Sequence, residues 1–137
     1  DRDTFGVALR RAREVLRPGS LVFILCDERA LSESAEQQLA LLSRHCDLLL
    51  LPLSDPLDHA LPAAGLLRFA DRGAQLELDT LNPDLRQTYR AQGEARQARW
   101  ALLAKKLRVL MIPLSTQQEM VEQLRDYLNA NQPVKQK

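Results

Sequence analysis

The sequence predicts an α/β fold in three layers, with a mainly parallel sheet, crossover helices and a small β-hairpin insertion. Three observations carry that prediction. "LVFILC" (residues 21–26), "DLLLLPL" (47–53) and "RVLMIPL" (108–114) are short, nearly continuous apolar runs, as expected of strands buried on both faces. Segments of helical period lie between and around them, which is the order of a parallel sheet with crossovers. Between the second run and the longest helical segment, "LLRFA" and "AQLELD" alternate polar and apolar residues around "DRG", the pattern of an antiparallel hairpin with Gly73 at its turn.

Each element has its own local signal. Asp3 or Thr4 caps a first helix over residues 3–16, with Val7, Ala8, Ala12, Val15 and Leu16 on its apolar stripe, and "RPGS" ends it. Ser34, with Gln37 three residues on, reads as the cap of a second helix whose apolar face holds Leu39 and Leu42. Asn82 followed by Pro83 opens a long helix towards Lys106, with Leu85, Tyr89, Trp100, Leu103 and Leu107 turned to the sheet. Its Arg86, Arg90, Arg96, Arg99, Lys105 and Lys106 read as a solvated face, the alternative being a docking surface for an acidic partner. Thr116 and Glu119 read as a capping box for the last helix. Residues 1–129 thus form a single α/β domain, and 130–137 a polar, fraying tail.

At 137 residues the chain is long enough for one real core. Its 19 basic and 18 acidic residues leave a formal charge of +1, too balanced for a protein that neutralises phosphates, so no nucleic-acid partner is expected. Cys26 and Cys46 lie in or beside apolar runs, far from any C-x-x-C spacing, and read as buried thiols of a reducing, cytoplasmic compartment. No apolar run approaches the roughly eighteen residues of a membrane span. The chain starts at Asp1 rather than at a methionine, which raises the expectation of a longer parent protein and leaves open whether that parent is membrane-associated.

Motifs for catalysis are missing from the sequence. The five glycines are scattered, so neither a dinucleotide fingerprint nor a P-loop is present, and there is no G-x-S-x-G or H-E-x-x-H. His45 and His59 read as surface or packing residues, and Asp71, Asp79 and Asp84 as turn punctuation. Asp27 is placed differently, at the carboxyl end of the first strand, where open α/β sheets bind ligands. Asp55 and Asp58 follow the neighbouring strand at its own carboxyl end. Three carboxylates on one rim could bind a hard cation such as magnesium. The structural reading of "SDPLDHALPAAG" is a short helical turn capped by Asp55, with Pro56 at its first position and Leu57 and Leu61 packing inward.

The segments "LRPGSLVFILCDERAL", "HCDLLLLPLSDPLDHALPAAG", "LDTLNPDLRQTYR" and "LMIPLST" resemble the bacterial family labelled domain of unknown function 58. The resemblance rests on Pro18, Gly19 and Ser20 before the apolar strand, on Cys26 and Asp27 at its end, and on the turn Asp55, Pro56, Leu57, Asp58, Leu61, Pro62 and Gly65. Arg86 and Tyr89 match the family's Arg-x-x-Tyr. Members look like von Willebrand factor A-type domains, a Rossmann-like fold, and are commonly encoded beside MoxR-type AAA+ ATPases. The resemblance implies that Asp27 matches the aspartate of the A-type metal site and that Thr4, with Asp3 as the alternative, falls near its threonine. The D-x-S-x-S loop of that site is not in this sequence, and Cys26 stands where a serine is usual.

The resemblance further implies that this chain is the carboxyl-terminal half of an A-type domain, with its first strand left as a bare apolar edge. The expected function is a protein-interaction module that serves a MoxR-type ATPase in complex assembly or maturation, without catalysis. Asp27, Asp55 and Asp58 are its candidate binding residues, and Asp27 and Thr4 an incomplete metal site. No cofactor is expected on this segment, with magnesium reserved for the full-length parent. Self-association through the strand from Leu21 to Cys26 is a further expectation. The rivals are a metal-assisted hydrolase built on the acidic rim, for which no base or nucleophile can be named, and a purely structural domain.

Overall fold

The computed structural model describes residues 3–71 and 73–131. Its elements are α1 (Thr4–Val15), β1 (Leu21–Asp27), α2 (Glu33–Leu42), β2 (Asp47–Ser54), β3 (Leu66–Asp71), β4 (Ala74–Asp79), α3 (Pro83–Leu107), β5 (Leu110–Met111), β6 (Leu114–Ser115) and α4 (Met120–Ala130). Short 3₁₀ turns at Glu28–Ala30 and Pro56–Asp58 follow β1 and β2. The mixed α/β order read from the sequence is the observed one. Of the polar tail expected over 130–137, residues 132–137 lie outside the described residues.

Caps fix where each helix begins. Asp3 accepts a hydrogen bond from the Gly6 N–H at 2.9 Å and starts α1, and Asn82 accepts from Asp84 N–H at 3.0 Å ahead of Pro83 in α3. Two expected caps are corrected. Ser32, not Ser34, caps α2 through the Ala35 N–H at 3.0 Å. Glu119, not Thr116, caps α4 through the Val121 and Glu122 N–H groups. Thr116 is unavailable because its own N–H extends the sheet to Ser54 O and its hydroxyl is committed to Asp55. The apolar stripe of α1 is also rotated from the expected one: Leu16 packs on the core as expected, but Gly6 and Leu9 are buried and Phe5 half-buried, while Val7 and Val15 face solvent.

β2 is central in the main sheet, parallel to β1 on one side and to β5 and β6 on the other. One face carries a core of Ile24, Leu48 and Leu50 against Leu9 of α1, Leu39 and Leu42 of α2, and Trp100 and Leu103 of α3. On the opposite face Leu51, Ile112 and Leu114 pack against Leu124 and Tyr127 of α4. The run over 108–114, expected as one strand, is two. In a parallel ladder the carbonyl of Ile112, whose N–H bonds to Leu50 O, would accept from residue 52, and Pro52 has no N–H to give. Pro113 falls at the same break.

β1, expected to be buried on both faces, buries one. Val22, Ile24 and Cys26 join the helical core, but Leu21, Phe23 and Leu25 are 63, 62 and 57% exposed. These three share the face on which α4 lies over β2 and β6, and α4 does not reach them. Among the described residues β1 is also an edge strand. β3 and β4 form the expected hairpin as a separate antiparallel pair, with Gly73 at φ +92° in its turn.

Candidate functional site

The carboxyl ends of β1, β2 and β6 meet on one rim of the sheet, and polar side chains from all three gather there. At the end of β1, Asp27 caps the 3₁₀ turn that follows: its Oδ1 accepts from the Arg29 N–H at 2.8 Å. The Arg29 side chain returns to the same carboxylate, Nε to Oδ1 at 3.0 Å and Nη2 to Oδ2 at 2.7 Å, a two-pronged charged pair. These bonds hold the Asp27 carboxyl below its usual range and the guanidinium more firmly protonated than usual.

At the end of β2 the expected capping turn is present. Asp55 Oδ1 accepts from the Leu57 N–H at 2.9 Å, and Asp58 Oδ2 accepts from the Asp55 N–H at 2.8 Å, a reciprocal box with Pro56 at the first position. The second oxygen of Asp55 accepts from the Thr116 hydroxyl at 2.6 Å, so the turn is tied to the end of β6. That bond, with the Leu57 N–H, lowers the Asp55 pKa. Leu61 is buried as expected, but Leu57 is 58% exposed. The Leu57 backbone is used instead: its carbonyl accepts from Tyr89 Oη at 2.6 Å.

The structure thus links Asp27 and Asp58 through Arg29, whose Nη1 stands 3.5 Å from Asp58 Oδ1, and links Asp55 to Thr116 rather than to Asp27. Thr4, at the start of α1, joins Phe5, Ala8, Arg29, Leu31 and Ser32 around a groove of about 600 Å³ beside the rim. Among the described residues no three acidic, histidine or cysteine side chains converge as metal ligands. The donor set does not fit a divalent cation, because each oxygen of Asp27, Asp55 and Asp58 has a partner within the chain.

Sequence reasoning missed the buried part of the site. Glu28, one residue past Asp27, is only 5% exposed. Its carboxylate lies 3.3 Å from Arg96 Nε and 3.2 Å from His59 Nε2, and its carbonyl accepts from Trp100 Nε1 at 2.8 Å. Arg96 also donates to the Asp58 carbonyl. α3 is therefore clipped to both strand-end turns, and it approaches so closely that a Cβ on Gly93 would stand 2.7 Å from His59 Nδ1 and 3.1 Å from His59 Cα. The apolar run ahead of Glu28 marks it as a strand-end residue, but its partners Arg96 and Trp100 lie 68 and 72 residues away in the sequence.

The arginines of α3 are not one solvated face. Arg86 donates to the Thr80 carbonyl at 3.2 Å, Arg99 donates to the Leu31 carbonyl at 2.9 Å and pairs with Glu36, and Arg96 is used as above. Among the described residues both cysteines are free thiols, and no helix is long and apolar enough to cross a membrane. Burial pushes the Cys26 thiol up to about 11.

No curated protein and no solved structure matches the chain. The family described as "Protein of unknown function DUF58" does match, over residues 2–100; this is more than half of the 137 residues, and the chain belongs to that family.

Proposed function

We propose that this chain is a protein-interaction module, part of a von Willebrand A-like sheet, that works with a MoxR-type AAA+ ATPase in complex assembly or maturation. One observation carries the protein-binding reading: β1 is an unpaired edge whose outer face presents Leu21, Phe23 and Leu25 to solvent. An edge of this kind lacks the devices that normally discourage pairing, since it has no lysine, proline or bulge within the strand. The ATPase is supported by the family resemblance alone. No catalytic step is assigned to the chain, because the polar rim binds its own groups and presents no free base or nucleophile.

The test is sedimentation velocity with a purified MoxR-type ATPase from the same genome, using the wild type and Phe23→Glu. The expected result is a complex that Phe23→Glu weakens by about tenfold or more, the size of effect found for central aromatic anchors. Monomer stability should change by no more than about 0.5 kcal/mol, as for other exposed positions. No complex with the wild type removes the ATPase from the reading. A complex indifferent to Phe23→Glu removes the β1 face from it.

A further inference from the structure

We infer that Arg29 is the resident cation of the strand-end rim and keeps that rim closed to divalent metals. Three observations lead there. Its guanidinium spans the two nearest carboxylates, two-pronged on Asp27 and 3.5 Å from Asp58. The remaining oxygens are committed to backbone N–H groups and to Thr116, so each carboxylate oxygen of Asp27, Asp55 and Asp58 has a partner. The Arg29 backbone N–H itself bonds to Asp27, which ties the side chain and its anchor to one 3₁₀ turn.

A magnesium ion entering this rim would have to displace a planar donor fork matched to the carboxylate and would still face the positive charge it displaced. Magnesium also gives up its waters reluctantly and is seldom held by fewer than one or two free carboxylates. The rim is therefore neutralised by the chain itself, and whatever binds beside it, in the groove that Arg29 shares with Thr4, binds without a metal bridge.

Manganese titration followed by amide NMR tests this on the full chain, with Arg29→Gln and the double variant Arg29→Gln/Asp27→Asn as companions. Wild type is expected to show no selective broadening at Asp27 and Asp58 below millimolar manganese. Arg29→Gln should gain it at a concentration lower by about tenfold or more, the size expected when a neighbouring positive charge is removed. The gain should vanish in the double variant. Selective broadening of Asp27 in wild type at the concentration that affects Arg29→Gln overturns the inference, and so does an Arg29→Gln protein that gains none. If Arg29→Gln does not fold, Arg29→Met, which also removes the charge, carries the same comparison and the same two overturning results.

Discussion

Asp55 and Thr116 stand 61 residues apart and share a 2.6 Å hydrogen bond, so each depends on the other to hold the ends of β2 and β6 together. Asp55→Ala and Thr116→Val should each lower the thermal midpoint, and the double variant should fall by less than the sum, because both remove the same bond. Glu28 is the costlier residue to change. Glu28→Gln removes a charge that Arg96 and His59 both face, and should cost about 1–3 kcal/mol in denaturant unfolding. The pH dependence follows from carboxyls held low: Asp27 by Arg29, Asp55 by Thr116, Asp3 by the Gly6 N–H and Ser34. A carboxyl whose folded pKa is depressed stabilises fully above its unfolded value of about 3.9 and loses that contribution as pH falls through the lower folded value. The midpoint should thus stay level above about pH 5 and drop below about pH 4, with a shallower drop in Asp27→Asn. Asp27 and Asp55 were legible as strand-end carboxylates because a continuous apolar run precedes each. Arg29, two residues from Asp27, was within reach of local reasoning, whereas the Glu28 and Thr116 pairings form only when the sheet does.

α3 illustrates how an element is fixed at two levels. Its start was readable from Asn82 and Pro83, since a cap and a proline without an N–H act locally. Its docking was not, because Gly93 has no meaning in sequence until His59 is placed against it. Gly93→Ala should gain up to about 1 kcal/mol of helix propensity and lose more. The added Cβ would stand 3.1 Å from His59 Cα and 3.3 Å from the Asp58 carbonyl, backbone atoms that cannot swing aside. A net loss of about 1–3 kcal/mol is expected, measured as a denaturant midpoint shift. The same division explains the corrected elements. Ser32 and Ser34 are both plausible caps by residue type, and only the chain's entry angle into α2 selects Ser32. The stripe of α1 differs from the expected one because Val7 and Val15 are as hydrophobic as core residues, while the core is met by Phe5 and Leu9. The split of β5 from β6 needed the register that leaves the Ile112 carbonyl facing Pro52, which has no N–H to donate.

At the scale of the whole molecule the main sheet is covered unevenly. Three helices contribute to the core on one face, and α4 alone packs on the other, over β2 and β6, leaving the outer face of β1 to solvent. Apolar continuity in "LVFILC" is the pattern of a strand buried on both faces, and among the described residues only one face is covered. The isolated chain should consequently self-associate as concentration rises, which sedimentation equilibrium would register as a growing weight-average mass that Phe23→Glu suppresses. The pairing direction can be followed atom by atom. Because the Asp47 N–H bonds to Ser20 O, the alternation of a parallel ladder turns the N–H groups of Val22, Ile24 and Cys26 towards β2 and those of Leu21, Phe23 and Leu25 to the open edge. Amide hydrogen exchange, residue by residue along β1, is therefore the most direct test of an interaction edge. In dilute chain alone, Leu21, Phe23 and Leu25 should exchange rapidly while their even-numbered neighbours are protected, and saturating ATPase should slow the odd set selectively. Protection of the odd set in the dilute monomer, or no slowing in a complex known to have formed, would contradict the account.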